Sequence, residues 1–458
     1  MVGESHVRFG IAGFRRSWRR RLQENTDCTW WLHTAAAAQS RARLHILVMT
    51  SPLLSALQRR AYFIALVVAA RPVHAQRGAR PDFGGAWATV RDFFHQTLNA
   101  EGVVGGSIAF FHGDTVLARE YHGFADLATQ RRVDDRTIYH WASITKTLTA
   151  ISLMQLRDRG RLTLDDPVIR SVPELALVHN PFGTMDAITF RQLLSHSGGF
   201  RNGTWPWSDG QPWQPFEPTQ WAQLVAMLPY TEVLFAPGSR YSYSNPGYIY
   251  VGRTIERITG EDYEVYVEKN VLRPLGMSSS YFDITPYHLL ADRSNNYYLL
   301  NGTAKAQGLD FDTGITVSNG GLNAPIGDMI RYLQFLVAAP GVTPAGRGVL
   351  ARTSLDEMMR PVLPIDGTDR DSIGLGFFHI ERNGVSLVGH TGSQAAFRAF
   401  FYLDPATTAG VIAVFNTAPP ETADNATTLV AAKPRIDVIF DGLRDRLTRG
   451  VFPLFRRP

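Results

Sequence analysis

Apolar residues recur at helical spacing soon after a basic leader. Trp87, Val90, Phe93, Phe94 and Leu98 fall three or four apart, which predicts an amphipathic helix over 83–100. Apolar runs at 105–111 and 115–123 flank His112-Gly-Asp114, a hairpin pattern. Residues 135–141 lead into a helix from Ser143 to about Arg159, stopped by Gly160. From about 165 to 370 the pattern is mainly helical, broken by Pro and Gly loops. Three strand-like runs follow at 386–389, 396–403 and 409–416, and a helix around 436–447 closes the chain. Strands at both ends with helices between predict an α/β (α+β) architecture. One antiparallel sheet would draw strands from about 83–140 and 370–450, with helices covering it and an all-helical subdomain over about 141–369. The cleft between these lobes is the expected binding site.

Composition separates the leader from the body. The chain of 458 residues carries a formal charge of +5, but residues 1–75 hold 11 basic and 3 acidic residues and residues 76–458 hold 35 and 38. A near-neutral body has no electrostatic reason to bind nucleic acid. From Met49 the chain runs through Arg59-Arg60, the apolar stretch 61–70 and Val73-His-Ala75, the pattern of an export signal cleaved after Ala75. Ten apolar residues are too short for a stable membrane span. The arginine pair fits twin-arginine export as well as ordinary secretion. Residues 1–48, Arg-rich and without apolar periodicity, are expected to be a start-site extension. The protein is therefore expected in the periplasm or outside the cell. The one cysteine, Cys28, lies in that leader, so the body has no disulfide, thiolate metal site or Cys nucleophile. No metal or organic cofactor is expected, the partner is a small-molecule or peptide substrate, and the sequence fixes no oligomeric state.

Three strings carry candidate chemistry. In Ser143-Ile-Thr-Lys146, residues three apart share one helix face, so a hydroxyl can meet an amine. Serine needs a neighbouring base, and a desolvated lysine supplies one. The four Lys of the chain (Lys146, Lys269, Lys305, Lys433) stand against 42 Arg, so Lys146 is a scarce residue type here. In Tyr243-Ser-Asn245, between Pro237-Gly and Pro246-Gly, extended backbone would turn a phenol and an amide the same way. Such a tyrosine relays protons where nearby cations lower its pKa. In His390-Thr391-Gly392-Ser393, at the end of a predicted strand, Gly392 allows close approach and frees the following N–H. Each string alone is commonplace: an N-cap serine, a turn, a structural histidine.

Together, and in this order, they resemble the penicillin-recognising serine hydrolases: class C beta-lactamases, D-alanyl-D-alanine carboxypeptidases, D-aminopeptidases and beta-lactamase-like esterases. The likeness runs from about Phe83 to Leu447. It extends to Gly160-Arg-Leu-Thr-Leu-Asp-Asp-Pro167, Leu193-Leu-Ser-His-Ser-Gly-Gly-Phe200, Pro274-Leu-Gly-Met277 and Gly320-Gly-Leu322. The resemblance implies a beta-lactamase/transpeptidase-like fold, with Ser143 as the acylated nucleophile and Lys146 and Tyr243 sharing proton transfer. It also implies that Asn245 holds the lysine and a substrate amide, and that the N–H groups of Ser143 and Ser393 form an oxyanion hole. Two such donors are worth about 3 kcal/mol each.

Departures narrow the substrate. The third motif carries His390 where most beta-lactamases of the group have a lysine, so a permanent cation for a substrate carboxylate is missing. With an ordinary pKa of about 6.5, His390 would be mostly neutral at pH 7 and would titrate between about pH 5.5 and 7.5. A Glu suited to deacylation is not evident either, which leaves that step to Tyr243 and Lys146. Four of the nine Trp lie between Trp205 and Trp221, as an aromatic wall for an apolar acyl group or as a loop packed on the helical lobe. Ester, D-amino-acid peptide and beta-lactam substrates stay open. The alternative from another class is a non-catalytic penicillin-binding-like scaffold. No Gly-x-Ser-x-Gly elbow or His-Glu-x-x-His helix is present.

Overall fold

A computed structural model describes residues 82–204, 218–309, 312–338, 348–365, 370–419 and 434–456. The expectations for 1–48 and 49–75, and most of the Trp205–Trp221 loop, lie outside the described residues. The first predicted helix is present as α1 (Phe83–Glu101). The Asp82 carboxylate caps it by accepting the Gly85 N–H at 3.0 Å, and Gly102 at φ 74° ends it. The hairpin β1 (Gly105–His112) and β2 (Thr115–Asp126) follows, then β3 (Ile138–His140). One turn of 3-10 helix at Ala142–Ile144 opens into α2 (Thr145–Asp158). The middle supplies α3 (Asn245–Thr259), β4 (Leu322–Pro325) and α4 (Ile326–Val337). The last part forms β5 (Phe378–Arg382), β6 (Val385–Gln394), β7 (Phe397–Asp404), β8 (Ala409–Phe415) and α5 (Ile436–Arg446).

Among the described residues the main sheet has nine strands, in the order 131–132, β2, β1, β8, β7, β6, β5, 372–373, 363–364. Its pairings are antiparallel, and β1 lies beside β8 with Ser107 opposite Val414, so strands from the two ends of the chain meet at its centre. Alternation along these strands makes two cores. Ala109, Phe111, Phe401, Ile412 and Val414 face α2 and α4, where Leu148, Ile151, Met329 and Leu333 meet them. Ile108, Phe110, Phe400, Val411 and Phe415 face α1 and α5, against Val90, Phe94, Leu98, Ile439 and Leu443. Each fully buried Leu or Phe contributes about 1.5–3 kcal/mol. The Phe93 ring of α1 packs onto Gly442 of α5, where a Cβ would lie 2.1 Å from the ring as placed.

The middle of the chain adds short strands to its helices. β4 pairs with β3 and with residues 281–282, while 297–300 pairs with 303–306 and 417–418. Two boundaries differ from the pattern-based expectation. The helix expected from Ser143 begins as a 3-10 turn because Ala142 has φ 48°. The strand expected to stop at residue 389 runs on to Gln394, because its ladder with β7 continues through His390↔Phe401 and Gly392↔Ala399. Pairing with β5 stops at Gly389, which leaves the remainder of β6 along the cleft. No described helix is long and apolar enough to cross a membrane.

Candidate active site

Ser143 sits on a fixed turn. Trp141 donates its backbone N–H to Leu322 O and its indole N–H to Ala324 O, both at 2.8 Å. The Thr145 hydroxyl donates to Ala142 O at 2.6 Å and accepts the Leu322 N–H at 3.0 Å. These bonds hold Ala142 in the left-handed region, a strain of about 1–3 kcal/mol that the surroundings must sustain. Strand β6 lies directly on this turn: a Cβ at Gly392 would come within 2.3 Å of Trp141 O. Only glycine lets the backbone leading to Ser393 approach the backbone leading to Ser143.

Lys146 is fully buried. Its Nζ lies 3.1 Å from Ser143 Oγ, 2.7 Å from Asn245 Oδ1 and 2.8 Å from Asn319 O. All three partners are neutral. Burial holds the amine well below the ordinary lysine range. A neutral amine has two N–H donors and one lone pair. The two carbonyl oxygens can only accept, so they take both donors, and the lone pair is left facing the Ser143 hydroxyl.

Tyr243 and Asn245 arrive from the start of α3. Ser244 caps this helix by accepting the Gly247 N–H at 3.1 Å, and Pro246 occupies its first turn. Thus the Tyr-Ser-Asn string is the entry to a helix as well as the expected turn. Lys146 Nζ lies 4.9 Å from the Tyr243 ring centroid, and the Ser143 hydroxyl is near enough to the phenol to act on its pKa. The cation-lowered tyrosine of the sequence reading is not found: burial pushes the phenol well up, outweighing the Ser143 hydroxyl. The tyrosine therefore keeps its proton. Asn245 Nδ2 donates to Asn202 O and to Asn202 Oδ1, each at 3.1 Å, which turns its carbonyl toward Lys146.

His390 is 2% exposed. Its Nδ1 lies 2.6 Å from Thr391 O; a carbonyl cannot donate, so Nδ1 carries the proton. Its ring meets Phe378 edge-on at 5.0 Å and lies 6.5 Å from the Tyr243 ring. Burial first, then the nearby Lys146 once acid has protonated it, lowers its pKa to about 3, against the opposing bond to Thr391. This corrects the expectation of a titration between pH 5.5 and 7.5: the imidazole is neutral throughout that interval. Thr391 and Ser393 are exposed on the same strand and Gly392 is buried.

The structure thus brings Ser143, Lys146 and Asn245 into one hydrogen-bonded group, with the Tyr243 ring beside Lys146 and His390 through Ser393 on the adjoining strand. Several contributors escaped sequence reasoning. Asn319 acts through its backbone carbonyl, which no side-chain pattern announces. His196, inside a string already singled out, accepts the Ser244 N–H on Nδ1 at 3.1 Å, while its own carbonyl accepts the Ser242 N–H at 2.8 Å. Its ring lies 4.3 Å from that of Tyr243. It therefore grips the chain on both sides of the tyrosine.

The beta-lactamase family model matches residues 90–433. Protein flp of Staphylococcus aureus is 24% identical over 314 residues, 69% of this chain. The chain spans about 60% of the length of that relative. Esterase EstB of Burkholderia gladioli is 28% identical over 308 residues, 62% of this chain and 74% of its own length. The octameric penicillin-binding protein homologue from Pyrococcus abyssi aligns with a TM-score of 0.63 at 24% identity, over 78% of this chain and 77% of its own, a likeness of fold.

Proposed function

The chain belongs to the beta-lactamase family and has the beta-lactamase/transpeptidase-like fold, and from that premise we propose that it hydrolyses esters or amides through an acyl-enzyme on Ser143. The observation that carries this reading is the Lys146 amine, buried among neutral partners with its Nζ 3.1 Å from Ser143 Oγ. Lys146 takes the Ser143 proton as Oγ attacks the substrate carbonyl carbon. The N–H groups of Ser143 and Ser393 stabilise the oxyanion. When the carbonyl re-forms, the bond to the leaving alcohol or amine breaks, and that group takes the Tyr243 proton. The lysine then returns its proton to the phenolate. Water repeats the sequence on the acyl-enzyme, with the same groups as base and acid, and Ser143 leaves with a proton.

Esters come first as substrates. A neutral His390 offers no cation to a substrate carboxylate, and Esterase EstB is among the relatives. A non-catalytic scaffold would have no use for a buried amine without a counter-ion. Cleavage of an export signal after Ala75 belongs to the same proposal, and the N-terminus of the mature protein tests it: a start at Gln76 is expected, and retention of residues 49–75 would contradict it.

The test is a panel of p-nitrophenyl esters, nitrocefin and D-Ala-D-Ala peptides, with a fluorophosphonate as covalent label. Wild-type protein should turn over at least the esters and take one label on Ser143, and Ser143→Ala should lose both. Turnover or labelling that persists in the variant would place the nucleophile elsewhere.

A further inference from the structure

The side chain of His140 joins three segments that each supply one group to the site. Its Nδ1 lies 3.1 Å from Asn323 Oδ1, and its Nε2 lies 3.0 Å from the atom placed as Gln394 Oε1, an amide whose oxygen and nitrogen can exchange places by a flip. His140 is the last residue of β3, three positions before Ser143. Asn323 is on β4, just after the Asn319–Gly321 stretch whose first carbonyl holds Lys146. Gln394 follows Ser393 directly on β6. The imidazole is 1% exposed, so its ring nitrogens rely on these two partners.

Donors and acceptors around it have one consistent assignment. Asn323 Nδ2 donates to Gly321 O at 3.2 Å and to Asp283 O at 3.4 Å, so its carbonyl oxygen must face His140. His140 Nδ1 therefore donates and, in the neutral ring, Nε2 accepts. Gln394 must then present its amide nitrogen to His140, an orientation that hydrogen-bond chemistry decides. The same amide packs on the backbone of the Lys146-holding segment: a Cβ at Gly320 would lie 2.6 Å from it. Burial, with a further contribution from the Arg293 charge, lowers the imidazole pKa to about 4 despite the bond to Asn323, which keeps this tautomer in place at neutral pH.

We propose that the His140–Gln394 hydrogen bond is a positioning device that sets the spacing of the two oxyanion donors, Ser143 N–H and Ser393 N–H, relative to the Lys146 amine. It rests on the acyl-enzyme reading above. Gly392 brings the two backbones together, and the ladder with β7 fixes the far edge of β6 through Gln394↔Phe397. The His140–Gln394 bond ties the edge that faces the Ser143 turn, one residue beyond Ser393. Misplaced oxyanion donors weaken the transition state more than the bound substrate, so loss of the bond should appear in kcat.

The experiment uses the enzyme acting on a p-nitrophenyl ester, with fluorophosphonate labelling of Ser143 as a separate readout. Gln394→Ala, a half-buried strand-end change, and His140→Ala should each lower kcat by about 10- to 100-fold with KM within about threefold. Because both remove one link, the double variant should fall within about threefold of the slower single variant. His140→Gln, whose amide can still reach Gln394, should recover most of the loss. Wild-type kcat in Gln394→Ala would overturn the proposal, as would losses that multiply in the double variant or appear only in KM. Should His140→Ala fail to fold, Gln394→Ala decides alone. Failure of the acyl-enzyme reading is distinct: wild-type Ser143 would then not take the label.

Discussion

Two regions of this molecule bury a charge-bearing side chain and treat it in opposite ways. At the turn between β7 and β8, Asp404 is 1% exposed and accepts from Arg456 Nε at 2.9 Å and from the Ala406 N–H at 3.2 Å. At the C-terminal end of α1, the buried Glu101 accepts from the backbone N–H and Nε of Arg435, at 2.9 and 3.1 Å. In the cleft, Lys146 is as deeply buried, yet its hydrogen bonds go to a hydroxyl and two carbonyls. A buried ion without its partner is costly, and the group gives up its charge instead. The fold thus supplies a counter-ion where it keeps a charge and none at Lys146, as the base proposed above requires.

The largest effect should come from removing the base without disturbing the packing. Lys146→Met should cut kcat/KM for esters at least about 1,000-fold, while thermal stability stays level or rises, because an apolar chain suits the site better than an amine. Lys146→Arg should be as inactive and also less stable, since a guanidinium cannot shed its charge. A Lys146→Met protein that kept activity, or that lost several kcal/mol of stability, would place Lys146 with the structural ions.

Acid should separate the two regions next. His140 and His379 have folded-state values of about 4, and His390 of about 3, all lowered chiefly by burial. Each lies below the unfolded value of about 6.5, so the unfolded chain binds protons that the folded chain refuses. Stability is then full above that value and is lost as pH falls toward 4. The loss is up to about 1.4 kcal/mol per pH unit for each histidine. Unfolding midpoints measured between pH 7 and 4 check the slope, and a flat curve would remove the neutral buried histidines from the account.

Smaller still is the cost of breaking a structural pair. Asp404→Asn leaves Arg456 without its counter-ion and should lower stability by about 1–3 kcal/mol, with kcat/KM unchanged within about twofold. The smallest effect is expected at His390. His390→Gln lowers the rate through lost contacts but leaves the shape of the pH–rate profile unaltered between pH 5.5 and 7.5, because the native ring does not titrate there. A change of shape would return His390 to the list of titrating groups.

Much of this contrast could be read from residue order, and the unread part has a physical reason. Alternation at 105–111 and 409–416 specifies strands with two apolar faces, and the i, i+3 spacing of Ser143 and Lys146 specifies their meeting, because both depend on local periodicity. The left-handed Ala142 could not be foreseen, since the bonds that hold it come from Thr145 and from Leu322. The Asn319 carbonyl carries no residue-type signature. The link from His140 to Gln394 spans 254 positions and arises only when β6 is laid against the Ser143 turn. The protonation of Tyr243 and His390 is not legible in the sequence because burial, which no local string encodes, dominates both.

The central claim is the neutral Lys146 amine, and the scarcity of lysine makes it directly measurable. With only Lys146, Lys269, Lys305 and Lys433 in the chain, carbon-13 labelling of the lysine ε-carbons gives a spectrum of few lines to follow against pH. One line should titrate well below the ordinary lysine value of about 10.4 and be absent from Lys146→Met. If every line, including the one removed by Lys146→Met, titrates at the ordinary value, Lys146 is an ammonium at neutral pH and the account of the base is wrong.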